Sequence, residues 1–247
     1  MAFNDDFQRS PRATVQTIPA DALYDAGLRQ HMLGIYNYMF AGLALSGATA
    51  FLLMQSGASA LFYSSDGQFT LLGWAAMLAP LGLLLIASFM ANRLSTAATH
   101  GLYWGLAALQ GVGLSILLQA YTGASIAQVF FVTAAAFGAL SLFGYTTQRS
   151  LSGMGTFLMI GLVGVVIAFL VNIFLQSSML QFVASVIGVI VFAGLTAFDT
   201  QRLKLEYLDG MAGDVASKAQ VWGALSLYLN FINLFQLLLS LFGQREE

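Results

Sequence analysis

Across residues 101–198 only Arg149 carries a fixed charge, and Asp199 then ends the apolar run. A carboxylate at the end of a membrane segment is costly unless it is solvated, paired or protonated. Residue chemistry leaves three readings of Asp199 open. It lies at the interface, solvated or paired with Arg202 one turn later. It forms a structural pair with Arg93, at the inner end of the second apolar segment. Or it is a titratable gate, whose protonation alters helix packing. A second group of polar residues lies in the last apolar segment: Tyr228, Asn230, Asn233 and Gln236. Asn230 and Asn233 are spaced i, i+3 and share one helix face. Such a stripe suits interhelical hydrogen bonds or a path for ions or water.

Other chemistry finds little footing. The chain has no cysteine and two histidines, His31 and His100. No thiol nucleophile, disulfide framework or histidine-rich metal site can be built from them. Ser46, Ser115 and Ser141 lack a histidine or acid at a useful spacing, which argues against a hydrolase. An intramembrane aspartyl protease needs two carboxylates sharing a site, and within the membrane region only Asp199 is available. The glycine-rich segments lack the Lys and Ser/Thr of a phosphate loop. A net charge of −2 supplies no basic patch for nucleic acid. The chain is therefore expected not to be an enzyme and to carry no cofactor or metal.

The elements that position these residues follow from composition. Of 247 residues 58% are hydrophobic and 8% charged, with mean hydropathy +0.79, whereas soluble domains carry about 25% charged residues. This is the composition of an all-α polytopic membrane protein. A spanning helix needs about 20 mainly apolar residues, and seven stretches qualify: 32–54, 71–91, 102–120, 126–145, 156–175, 180–198 and 221–242. Between the fifth and sixth only Gln176-Ser177-Ser178-Met179 intervenes, which calls for a tight helical hairpin. Residues 1–30 read as a polar, partly disordered cytoplasmic tail, and 31–247 as the membrane domain. All nine Lys and Arg residues except Arg245 fall in the tail or in alternate loops. That bias places the N-terminus in the cytoplasm and the C-terminus outside. Four small-residue pairs at i, i+4 suit close helix packing: Gly42/Ser46, Gly101/Gly105, Ala134/Gly138 and Ala184/Gly188. Single amides such as Asn37, Gln110, Gln119 and Asn172 suit contacts between helices. Leu203, Leu205, Tyr207 and Leu208 can carry the sixth helix on past Asp199.

Four stretches together resemble a known family. They are Gly194-Leu195-Thr196-Ala197-Phe198-Asp199-Thr200-Gln201; His31-Met32-Leu33-Gly34-Ile35-Tyr36-Asn37-Tyr38-Met39; Phe137-Gly138-Ala139-Leu140-Ser141-Leu142-Phe143-Gly144-Tyr145-Thr146-Thr147; and Leu227-Tyr228-Leu229-Asn230-Phe231-Ile232-Asn233-Leu234-Phe235. The combination resembles the Bax-inhibitor (transmembrane Bax inhibitor motif) family, in its bacterial YccA-like branch. The resemblance implies a seven-helix fold in the bacterial inner membrane, with the last helix near the centre of the other six. It also implies a pH-sensitive calcium leak gated by two facing aspartates. The first stands where Asp199 is. The second stands in the motif Leu-Tyr-Leu-Asp-Phe-Ile-Asn, where this chain has Asn230. An arginine similar in place to Arg93 locks the closed state. Two carboxylates can share a proton and so form a pH switch, but an aspartate facing an asparagine has no such repulsion. The negative charge available to Ca²⁺, which prefers several oxygen ligands, is halved. The resemblance thus leaves a leak for Ca²⁺ or H⁺ weakened, altered in preference or absent. It equally implies a non-conducting regulator that modulates an FtsH-type membrane protease, with the polar tail as a handle. For either role the sixth helix should run to about Leu208, with Asp199 within reach of Asn230 or Arg93.

Overall fold

The computed structural model describes residues 20–64, 66, 68–90, 93–208, 211 and 213–246. They form seven α-helices: α1 (Ala20–Gln55), α2 (Leu71–Met90), α3 (Thr96–Leu118), α4 (Gly123–Thr146), α5 (Ser152–Leu175), α6 (Ser178–Leu205) and α7 (Gly213–Phe242). A short 3-10 turn, Ala58–Phe62, follows α1, and no β-strand beyond two isolated bridges occurs among the described residues. Six of the helices are long and apolar enough to cross a membrane; the apolar stretch Leu71–Ala87 of α2, which contains Pro80, is shorter. An all-α polytopic membrane protein is what these helices make.

Local chemistry sets the helix ends. Ser95, Thr122 and Ser177 cap α3, α4 and α6, each accepting a backbone N–H from the first turn. The expected hairpin between α5 and α6 is only Gln176 and Ser177 long. Gln176 takes a left-handed conformation (φ 48°), and Asn172 Oδ1 accepts the Ser177 N–H at 2.9 Å. Asn172 therefore closes its own turn, in contrast to the expected contact between helices. Asn37, also expected to join helices, is exposed on α1.

Two helices begin earlier than hydropathy suggests. α1 starts at Ala20, inside the stretch read as a tail, and residues 1–19 of that tail lie outside the described residues. The extension has a packing cause. Leu28, Met32, Ile35 and Met39 recur at helical spacing and are all buried, and Tyr24 and His31 pack their rings on Tyr207. α7 likewise starts at Gly213, well before residue 221.

Helix α7 packs on α1, α3, α4 and α6, while α2 packs on α3 and α5 on α6. It is the most buried of the six long helices, and its Leu227, Tyr228, Leu234 and Leu239 are sealed from the surface. On α5, by contrast, Phe157, Ile160, Val163, Ile167 and Phe174 are exposed, as a lipid-facing helix requires. The small-residue pairs divide. A Cβ on Gly42 would strike the Tyr103 hydroxyl, and one on Gly188 the Leu237 side chain. At Gly101, Gly105 and Gly138 a Cβ would meet nothing within 4 Å, so those pairs bring no helices together. Glycines outside those pairs also let backbones meet: Gly111 against the Ser46 backbone, and Gly144 against the carbonyl of Ala197.

Candidate functional site

The site is built where α6 runs past its apolar stretch. Leu203 and Tyr207 are buried there, with Leu203 against Gly223 of α7. This apolar face holds the last turns of α6 to the bundle as far as Leu205, three residues short of the expected Leu208. Asp199 is consequently carried inside the protein, with only 6% of its surface exposed.

Both carboxylate oxygens of Asp199 are engaged. Oδ2 accepts from Asn230 Nδ2 and from Ser226 Oγ, each at 2.7 Å. Oδ1 pairs with Arg202 Nη2 at 3.0 Å. The same Nη2 donates to Ser226 Oγ at 3.3 Å, and Arg202 Nε lies 3.7 Å from Glu206 Oε1. Ser226 and Asn230 are spaced i, i+4 on α7, and Asp199 and Arg202 i, i+3 on α6. Asp199, Arg202 and Ser226 close a loop across the two helices, and Asn230 joins it at Asp199 Oδ2. A buried carboxylate is tolerable on these terms, because charge and hydrogen bonds are supplied together. Arg202 is 42% exposed, so its attraction is partly screened and the hydrogen bonds from α7 carry much of the join.

Successive residues of α6 address different neighbours. Thr200 accepts from Ser141 of α4 at 3.1 Å and donates to the Thr196 carbonyl at 2.8 Å. Ser141 in turn meets the Tyr36 hydroxyl of α1 at 2.5 Å. Gln201 grips the α4–α5 connection from both ends of its amide, accepting from Leu151 N–H at 2.7 Å and donating to the Arg149 carbonyl at 2.8 Å. Lys204 donates to the Tyr145 carbonyl at 2.9 Å. From α7, Lys218 Nζ donates to the Leu94 carbonyl at 2.6 Å, and Ser217 meets His100 at 2.9 Å. The described basic side chains other than Arg245 thus cluster with the connections at one end of the bundle.

The structure brings Asp199 and Asn230 together, as the helix extension requires. It does not bring Arg93 to them. Arg93 is exposed in the α2–α3 connection, and the ion pairs among the described residues are Asp199–Arg202 and Arg202–Glu206. The interfacial pair with Arg202 and the buried contact with α7 occur together. Asn233 leaves the stripe, since its amide donates to the Leu229 carbonyl of its own helix at 2.7 Å. Tyr228 points elsewhere, bonding Ser46 of α1 at 2.7 Å, and Ser46 Oγ donates to the Ala107 carbonyl at 2.7 Å. Ser226, Gln201 and the Tyr36–Ser141–Thr200 chain were missed by sequence reasoning. For Ser226 the signal was present: it lies one turn before Asn230, on the same face.

Long apolar helices around a buried, internally paired carboxylate define a polytopic membrane protein with a polar joint between its last two helices. Comparison with known proteins specifies the class. Residues 28–247 match the family model described as inhibitor of apoptosis-promoting Bax1. A Caulobacter vibrioides protein is 47% identical over 98% of this chain and all of its own length. Inner membrane protein YbhL of Escherichia coli is 44% identical over 89% of this chain and 94% of its own. A Rickettsia prowazekii protein is 41% identical over 95% and 98%. The chain belongs to the Bax-inhibitor family.

Proposed function

We propose that the chain is an ion-leak protein of the bacterial inner membrane, with its gate at the α6–α7 joint. In this reading α2 is a seventh span, α7 is the innermost helix, and the end rich in basic residues faces the cytoplasm. The observation that carries the proposal is the engagement of Asp199 by Arg202, Ser226 and Asn230 across two helices. Such a loop is a latch with two states: made, it seals α6 to α7; broken, it frees a carboxylate at the mouth of the bundle to draw a cation. The cargo is Ca²⁺ or H⁺. Because Asn230 brings no charge and Arg202 cancels that of Asp199, the calcium leak is weak at rest. Arg93, exposed in the α2–α3 connection, locks the closed state only by displacing Arg202 from Asp199.

The test is calcium flux into proteoliposomes across pH, comparing the native chain with Asn230→Asp. The variant restores a pair of carboxylates, which titrates as a unit, and is expected to gain a pH-dependent flux above the native chain. Equal flux and pH dependence in both would overturn the reading. One observation favours a second role, a non-conducting regulator of an FtsH-type membrane protease: both oxygens of Asp199 already have protein partners. That role predicts no flux from either protein, and co-purification of the protease with the native chain.

A further inference from the structure

On the opposite half of the bundle α4 stands away from α1 and α3. It packs on α6 and α7, whereas α1 and α3 pack on each other and on α7. Between them lies a groove of about 310 Å³. Its floor is Phe231, Ile232 and Phe235 of α7, and its walls include Gly47 of α1 and Ala127 of α4. A Cβ on Gly47 or on Gly123, at the groove's end, would meet nothing within 4 Å, so the space is not filled by neighbouring side chains. The volume is within the ordinary range of ligand sites, about 300–1,000 Å³. Nearly all the lining is hydrocarbon.

The end of this groove carries the second observation. The C-terminal stretch is pinned over the α3–α4 turn: Thr122 N–H donates to the Gln244 carbonyl at 2.9 Å, Glu246 N–H to the Ala120 carbonyl at 3.2 Å, and Gln244 N–H to Ser125 Oγ at 2.8 Å. Arg245 bridges Tyr121 through the backbone and is exposed. Glu246, also exposed, is its neighbour. The exposed Arg245 and Glu246 are thereby carried on a stretch held across the α3–α4 turn, whose flanking residues Leu118 and Gly123 line the groove.

We infer that this groove is a phospholipid site, with one acyl chain against Phe231, Ile232 and Phe235, the phosphate on Arg245 and the ammonium of an ethanolamine headgroup on Glu246. The occupant follows from the surroundings. Lipid tails are the solvent of these helices, and they gain nothing from apolarity alone because they are as apolar as leucine. A flexible chain does gain the dispersion contacts that an unfilled slot forfeits. A basic side chain at a helix end reaches the headgroup layer, where lipid phosphates lie.

The test places the full chain in vesicles of phosphatidylethanolamine carrying a photoactivatable group on one acyl chain, and maps the label by peptide mass spectrometry. Peptides lining the groove on α1 and α4 should be labelled several-fold above α5, although α5 is the more exposed helix. Gly47→Trp, or Ala127→Phe where the first does not fold, should abolish that excess. Labelling in proportion to exposure over α4 and α5 alike, or an excess unchanged in a folded groove-filling variant, would overturn the site. Exchanging ethanolamine for glycerol headgroups should lower the excess, and Arg245→Ala should lower it in ethanolamine vesicles. Equal excess in both lipids would overturn the headgroup assignment.

Discussion

Asn230 and Asn233 have the same chemistry and neighbouring places, yet the structure gives them different work. Asn230 satisfies a buried carboxylate from another helix; Asn233 bonds its own backbone. Asn230→Leu therefore leaves Asp199 with a weakened set of donors and is expected to cost about 1–3 kcal/mol, the penalty for an under-satisfied buried group. Asn233→Leu should stay within about 0.5 kcal/mol, as expected of a change that breaks no such partnership. Thermal unfolding in detergent checks both: a clear drop in midpoint for the first variant only. The asparagine was legible in the sequence because one residue type at one place in an apolar helix limits the alternatives. The arginine was legible only as alternatives, Arg202 or Arg93. Arg93 and Arg202 both lie near the same helix end, and which one reaches Asp199 depends on side-chain direction and connection geometry. The i, i+3 spacing on one helix brings Arg202 to 3.0 Å, whereas Arg93 would need the α2–α3 connection to fold inward.

At the scale of elements, hydropathy located the apolar centres of all seven helices and some of their ends, such as Leu71, Leu175 and Phe242, but missed the starts of α1 and α7. Helix α1 continues where charged residues appear because one buried face suffices to hold it, whereas the start of α7, with no buried residue before Val221, is tied down by Ser217 on His100 and Lys218 on the Leu94 carbonyl; a window average cannot see either. Glycine spacing was similarly incomplete, since a small pair shows where helices can approach and not where they do. Gly144 illustrates the difference. A Cβ there meets the backbone of Ala197, which cannot rotate away. Gly144→Ala should force α4 from α6 at a cost of about 1–3 kcal/mol, while Gly138→Ala, facing open space, should be neutral or slightly stabilising. The two melting midpoints in the same detergent check this. Gln201 makes a further prediction. Its amide holds the Leu151 N–H and the Arg149 carbonyl, so Gln201→Leu should speed hydrogen exchange at Leu151 many-fold while exchange in α7 stays slow. Unchanged protection at Leu151 would show that the loop is held by other contacts.

For the whole molecule, the helices divide into ends of unlike chemistry. One end gathers Arg149, Arg202, Lys204 and Lys218 with the connections they bind; the other has Tyr121 bridged to Arg245. A cysteine-free chain allows single cysteines to report the sidedness. With the basic end in the cytoplasm, Ser150→Cys should resist a membrane-impermeant thiol reagent in intact cells and Gln244→Cys should react. The reverse pattern would invert the proposed topology. At this scale the latch becomes a statement about permeation: Asp199 and Arg202 cancel each other's charge and, with Ser226 and Asn230, hold the last two helices together. The most direct measurement is calcium flux at neutral pH in proteoliposomes containing the native chain or Arg202→Gln, with folding verified by melting midpoint. Loss of the guanidinium leaves an uncompensated carboxylate at the joint, and flux should rise above that of the native chain. A folded Arg202→Gln protein with flux equal to or below native would contradict the latch.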